Sequence, residues 1–210
     1  MSQKQNSRTI SKIYKSRNIL LDILDERGFE TNDYRGFGIN AIQLMFNNKQ
    51  LDMLLEKSSG EKIYVKYHIS NKLRESHVYD YIDDLFTLEE ILGPNDELLI
   101  IIKDQNINKT LEELMEFIFK KDKIFVNVSC MKHYLFNILN HDIVPPHKKL
   151  NTDEKKQIYE KFKITKNSEL PEISRFDPVA KAIGLKPGEL CEITRPTSNS
   201  IKAKYYRLCH

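Results

Sequence analysis

The chain has no apolar run near the ~20 residues a membrane-spanning helix needs, and it starts with the polar stretch MSQKQNSRTISK, where a secretory leader would be apolar. It is therefore expected to stay inside the cell. Cysteine is scarce: Cys130, Cys191 and Cys209 are odd in number and widely spaced. This pattern argues against a disulfide framework and for reduced thiols that pack as small apolar groups. Phosphate-cradling loops are missing as well, since Arg35-Gly36-Phe37-Gly38 leads into neither G-x-x-x-x-G-K-[ST] nor G-x-G-x-x-G. Nor does charge of one sign dominate. A net charge of +3 is too small by itself to indicate a nucleic-acid binder.

What is present describes an ordinary folded protein. Its 210 residues are 40% hydrophobic and 30% charged, enough for one large domain or two modest ones, each with its own core. The charge is unevenly spread. Residues 141–210 carry 14 Lys+Arg against 9 Asp+Glu, net +5, which leaves 19 against 21, net −2, for residues 1–140. A free-standing DNA-binding domain has a basic footprint, and the longer part lacks one.

From Ser7 to Arg27, Ile10, Ile13, Tyr14, Arg17, Leu20, Leu21 and Leu24 recur at three-and-four spacing, forming one stripe of a helix that Gly28 ends in the left-handed conformation. A loop with a short helix around Ile42 to Phe46 follows. The runs LDMLLEK (51–57) and KIYVKYHIS (62–70), joined by SSGE, predict a β-hairpin. Helical periodicity returns at Leu73, Val78, Tyr81, Ile82 and Leu85, with Ser70 or Asn71 as N-cap. ELLIIIK (97–103) is continuously apolar, the pattern of a strand covered on both faces. Thr110 and Glu113 have capping-box spacing ahead of Leu111, Leu114, Met115 and Ile118, and apolar runs at 124–129 and 134–139 follow. Helices alternating with strands predict an α/β domain over residues 1–140.

At NHDIVPPHKK the paired prolines Pro145 and Pro146 interrupt regular structure, and the domain boundary is placed there. A small α+β domain is expected over residues 141–210. Asn151 with Glu154 predicts a capped helix bearing Ile158, Tyr159 and Phe162, after which KNSELPEIS reads as a turn. Asp177 as N-cap, Pro178 at the first helical position and Gly184 as stop define a brief second helix. Lys186-Pro187-Gly188 then turns into the strand ELCEIT. Arg195-Pro196 is expected to stop that strand before the chain returns in IKAKYYRLC.

Three constellations invite a chemical reading. Cys130, His133, His141 and His147 match no paired zinc-ligand spacing, and surface or hydrogen-bonding histidines are the better reading, so no metal is expected. Asp52 and Lys66, on adjacent predicted strands, fit the layout of magnesium nucleases. That chemistry needs a second carboxylate two residues before the lysine, where this chain has Tyr64. Lys62, Lys66 and Lys72, interleaved with Tyr64, Tyr67 and His68, form either a nucleic-acid surface or a solvated strand face, and the acidic surroundings favour the latter. Tyr205, Tyr206 and Arg207 suit a protein interface or a plain hairpin equally.

The order of short motifs in the last third is more specific. His141-Asp142-Ile143-Val144-Pro145 with His147, Leu170-Pro171 with Ile173, Asp177-Pro178-Val179-Ala180, Gly184 to Gly188, Ile193 with Arg195, and Tyr206-Arg207 follow one another over about seventy residues. The series resembles the C-terminal domain of the fifth subunit shared by eukaryotic nuclear RNA polymerases, and its archaeal polymerase counterpart, which consists of little else. More faintly, ISKIYKSRNILLDILDERGFETND with Glu26-Arg27-Gly28-Phe29 is similar to the first helix of the eukaryotic two-domain form. The resemblance implies a nuclease-like, degenerate N-terminal domain forming part of the jaw beside downstream DNA, and a C-terminal domain docked on the largest subunit. Interface candidates carried over in this way are His141, Val144, Pro145, His147, Asp177, Pro178, Gly184, Gly188, Arg195, Tyr206 and Arg207. Relatives carry Thr-Pro-Ser-Ala near the duplex where this chain reads Ile107-Asn108-Lys109-Thr110, which leaves Asn106, Asn108 and Lys109 as candidates for a phosphate contact.

The sequence thus leads to a non-catalytic subunit of a DNA-directed RNA polymerase, without cofactor, metal or membrane. Its expected partners are the largest and other polymerase subunits and, without sequence preference, downstream double-stranded DNA. The expected location is the nucleus in a cellular host, or a viral factory or virion if virus-encoded. The rival readings are a free nucleic-acid-binding module on an inactive nuclease-like fold, and a magnesium-dependent nuclease using Asp52 and Lys66.

Overall fold

The computed structural model describes residues 3–103, 107–197 and 200–210. It divides into two compact units, Met1–Phe136 and Asn137–His210.

The first unit opens with α1, Gln3–Glu26. Its stripe of Ile10, Ile13, Leu20, Leu21 and Leu24 is buried as the spacing predicts. Gly28 takes φ +87°, and the amide of Phe29 reaches back to the Leu24 carbonyl at 3.0 Å, closing the helix end. Helix α2, Ile39–Asn47, precedes the antiparallel hairpin of β1, Met53–Glu56, and β2, Lys62–His68. Next come α3 (Glu75–Ile82), β3 (Glu97–Ile102), α4 (Lys109–Asp122) and β4 (Phe125–Cys130). The sheet order is β1-β2-β3-β4, with β3 parallel to both neighbours. Every residue of β3 and β4 is buried. This burial explains their continuous apolar runs, because parallel strands joined through helices are covered on both faces.

Two local expectations for this unit are corrected. Helix α3 is capped by Arg74, four residues later than Ser70, and the Arg74 amide donates to Nδ1 of His77 at 3.2 Å. Buried Leu73 and Val78 then occupy the positions that brace the entry to the helix. Helix α4 starts earlier than foreseen: Asn108 is the N-cap, and Thr110 and Glu113 lie inside the helix. The run 134–139 falls in short 3-10 turns, Met131–Tyr134 and Ile138–Asn140.

The second unit is α+β: β5 (His147–Lys149), α5 (Thr152–Phe162), β6 (Glu172–Ile173), α6 (Pro178–Ile183), β7 (Leu190–Thr197) and β8 (Ser200–Cys209). Its sheet order is β5-β7-β8-β6; β7 runs antiparallel to β5 and β8, while β6 is parallel to β8. The capping box of α5 forms in both directions, Glu154 N to Asn151 Oδ1 at 2.8 Å and Asn151 N to Glu154 Oε2 at 2.9 Å. Its bond to Lys148, followed by that to Asn151, holds the Glu154 carboxyl below its ordinary range. Pro196 does not stop β7, which continues to Thr197 through a register shift between Arg195 and Thr197. A bulge is one of the few places where a sheet tolerates proline.

Alternation along β7 and β8 divides the interior. Cys191, Ile193 and Cys209 pack with Ile173, Ala180 and Leu185. Leu190 and Leu208 pack on the opposite side with Leu150, Leu170 and the apolar residues of α5. All three cysteines are free and buried. Burial pushes the Cys191 thiol up to about 11 and that of Cys209 up to about 12.

Two outcomes follow for this unit. Asp177→Ala lowers stability in urea unfolding by about 1 kcal/mol while Asp177→Asn retains most of it, because only the former removes the cap acceptor. The buried thiols hold their protons more tightly than the unfolded chain does. Their contribution to stability is therefore intact below the ordinary thiol value of 9 and falls as pH rises through 11. Iodoacetamide at pH 8 should leave Cys191 and Cys209 unmodified in the native protein and alkylate both in urea.

Candidate functional site

In the second unit a groove of about 430 Å³ lies over the part of the sheet beside α6. Short-range signals build its walls. Asp177 caps α6 by accepting from Val179 N at 2.8 Å and Ala180 N at 3.2 Å. Gly184, at φ +65°, ends that helix. One rim is the turn 141–144, where the Val144 amide donates to the His141 carbonyl at 2.8 Å. His147 is held by a 2.6 Å bond between its Nδ1 and the Pro145 carbonyl. The floor is the exposed end of the sheet, with Ile193 of β7 opposite Tyr205 of β8. The guanidinium of Arg195 lies 3.8 Å from the centroid of the Tyr205 ring, a stacked cation–π contact that fixes its plane.

The groove gathers most of the residues singled out in the sequence: Val144, Pro145, His147, Asp177, Arg195, Tyr206 and Arg207 line it. Tyr206 contributes only at the rim, because its hydroxyl donates to Glu192 at 3.1 Å and its ring lies 5.7 Å from Phe162 toward α5. Burial, followed by the bond to Glu192, raises its phenol above the ordinary value. His141, Pro178, Gly184 and Gly188 are not lining residues. They shape the backbone around the groove; Gly188, at φ +86°, bonds to the Cys209 carbonyl at the hairpin entry. Ile143 and Ile193 stand in the motifs that carry the resemblance but not among the interface candidates, and both line the groove. Ile143 is 84% exposed at the rim, and its signal was its place in the His141–Pro145 motif.

The first unit holds a second, smaller pocket of about 270 Å³ whose lining includes Asp52, Lys66, Tyr67, His68 and Tyr81. Asp52 Oδ2 accepts from Lys66 Nζ at 2.6 Å, and Oδ1 accepts from the Tyr67 amide at 2.9 Å. Burial alone would lower the Lys66 ammonium, but the bond and charge of Asp52 outweigh it and the net shift is upward. Lys66 also lies over the Tyr81 ring at 5.3 Å, and the Tyr81 hydroxyl meets His68 Nδ1 at 2.7 Å. The solvated strand face expected for Lys66, Tyr67 and His68 is thus corrected to a half-buried cluster. Both Asp52 oxygens are committed to the chain's own donors, and Tyr64 stands where a second carboxylate would be needed. Among the described residues no group of three His, Cys, Asp or Glu could hold a metal ion; Cys130 donates to the Lys103 carbonyl at 3.1 Å.

Asn106 lies outside the described residues. Asn108 and Lys109 stand at the start of α4. The Lys109 side chain is largely solvated and lies 3.8 Å from Glu113.

Comparison with known proteins decides the family. The RNA polymerase Rpb5, C-terminal domain, family matches residues 136–209. The DNA-directed RNA polymerase subunit Rpo5 of Pyrococcus horikoshii is 45% identical over 73 residues, 35% of this chain and 88% of that protein. The chain belongs to the Rpb5 family. Similarity extends through both units: DNA-directed RNA polymerases I, II, and III subunit rpabc1 of Dictyostelium discoideum is 25% identical over 95% of this chain and 98% of its own length. DNA-directed RNA polymerase V subunit 5A of Arabidopsis thaliana is 23% identical over 87% of this chain and 81% of its own. The chain is accordingly a non-catalytic subunit of DNA-directed RNA polymerase, and transcription is its process. No helix among the described residues is long and apolar enough to cross a membrane.

The Asp52 cluster yields one test. Asp52→Ala leaves the Lys66 ammonium and the Tyr67 amide without their acceptor and destabilises the protein by about 1–3 kcal/mol in urea. Magnesium leaves the melting temperature of the unaltered chain unchanged, and a rise on adding the ion would show that Asp52 is available to it.

Proposed function

We propose that this Rpb5-family subunit docks on the largest polymerase subunit through residues 141–210, which lie within its second unit, and that its first unit forms part of the jaw beside downstream DNA. The observation that carries this reading is the groove: positions scattered from Val144 to Arg207 meet on one surface, and none of the described residues occupies it. Its walls are fixed by a capped helix, two positive-φ glycines and a hairpin ladder. Such a surface has little conformational entropy left to lose on binding, which favours permanent assembly.

In this reading the first unit is a nuclease-like framework whose catalytic position is filled. The mixed sheet and the adjacent Asp52 and Lys66 support the likeness, while their mutual ion pair supports a structural use. With net charge −2 over residues 1–140, this unit meets DNA only where the assembled enzyme places it, through few and sequence-independent contacts. Asn106, Asn108 and Lys109 are the proposed contacts. The place of action is the nucleus in a cellular host, or the viral factory or virion if the gene is viral.

Co-expression with the largest subunit tests the assignment. The unaltered chain co-elutes with it in size-exclusion chromatography, and the double variant Ile143→Asp, Arg207→Glu elutes alone while keeping its melting temperature. An unaltered chain that stays monomeric beside the largest subunit refutes the docking role.

A further inference from the structure

We propose that the groove of the second unit receives an acidic segment of the polymerase partner, a stretch of polypeptide presenting a carboxylate side chain beside a branched aliphatic one. The proposal rests on the docking role given above. The charges at the groove are one-sided. Arg195 and Arg207 both line it, whereas the sole carboxylate among its described lining residues, Asp177, is already engaged with two amides of α6.

Neither arginine has a carboxylate partner among the described residues. Arg207 donates Nη1 to the Glu172 carbonyl at 3.3 Å. Arg195 is exposed, and its one described contact is the stack on Tyr205 at 3.8 Å. Stacking occupies the face of a guanidinium and leaves its edge, with the N–H donors, open. An edge presented in this way takes a carboxylate through two parallel hydrogen bonds, which a lysine ammonium cannot reproduce.

Apart from His147, Tyr205 and Tyr206, the rest of the lining is aliphatic. Exposed Ile143 stands at the rim above Val144, Ile173 and Ile193. A phosphate would also satisfy the arginines, but surfaces for single-stranded nucleic acid pair cations with open aromatic faces on which bases stack, and a duplex calls for a basic footprint broader than two arginines beside apolar side chains. Here the Tyr205 ring is covered by Arg195. An aliphatic floor beside an open guanidinium edge matches a peptide in which Asp or Glu neighbours Val, Ile or Leu.

The test uses the full chain with a benzophenone amino acid at position 143, assembled with the largest subunit and irradiated. The expected crosslink falls on a peptide of that subunit with an Asp or Glu next to an aliphatic residue close to the crosslinked position. In parallel, Arg195→Lys keeps the charge but loses the fork and binds about tenfold more weakly, whereas Arg195→Ala loses about 30-fold or more. Both variants keep the melting temperature of the parent, since residue 195 is exposed. If the complex forms but the crosslink lies on DNA or on a segment without an acidic residue, or if both variants bind as the parent does, this inference is overturned and docking stands. If the unaltered chain does not assemble at all, both fall.

Discussion

Strict alternation of side chains along the β7–β8 ladder is the constraint on which the second unit depends. It sends Cys191, Ile193 and Cys209 to one face and Leu190 and Leu208 to the other. A one-residue slip would exchange the two sets and empty both cores. The helices complete what the ladder starts: Ala180 of α6 packs on the first face, and Ile158 and Tyr159 of α5 on the second. Past Ile193 no helix among the described residues covers the first face. The groove is therefore a consequence of how far the sheet extends, and its residues are positioned by the same register that forms the core.

The first unit applies the same economy to the Asp52–Lys66 pair. In a magnesium nuclease the carboxylate has to be free to hold the ion that activates water. Here Asp52 spends one oxygen on the Lys66 ammonium and the other on a backbone amide, so the pair closes on itself and braces the end of β2. Arg17 and Arg27 show a related use of charge. Arg17, buried on the apolar stripe of α1, gives a 2.6 Å bond to the Leu51 carbonyl, and Arg27 pairs with buried Glu97 at the head of β3. In each case a specific partner meets one atom of a polar group removed from water, while Arg17 Nε and Glu97 Oε1 stay buried without a hydrogen bond.

The sequence was most legible where the signal is local. Asp177, Pro178 and Gly184 define α6 within eight positions, Asn151 and Glu154 start α5, and the unbroken apolar runs of β3 and β4 announce strands covered on both sides. It was least legible where the deciding partner is remote. Nothing near Arg17 indicates that its acceptor lies 34 residues away, nor near Arg27 that its carboxylate lies 70 away. The caps of α3 and α4 were misplaced because Ser70 and Thr110 have favourable side chains, while the tertiary structure draws the helix starts to Arg74 and Asn108. For the groove, order along the chain identified most of the lining residues. It could not separate those that form surface, such as Arg195, from Gly184 and Gly188, whose conformational freedom shapes the backbone. Ile143 stands in a motif, but its exposure was not legible, because a single exposed aliphatic residue carries no periodicity.

Pre-formation of the second unit is the claim to which the rest is tied, and amide hydrogen exchange on the full chain, free and assembled with the largest subunit, reads it most directly. The account predicts that β7, β8 and α6 are already strongly protected in the free chain, and that assembly adds protection mainly at residues 143–147 and 193–195 and around 205–207. Rapid exchange throughout residues 141–210 of the free chain, with protection acquired only on assembly, would contradict it.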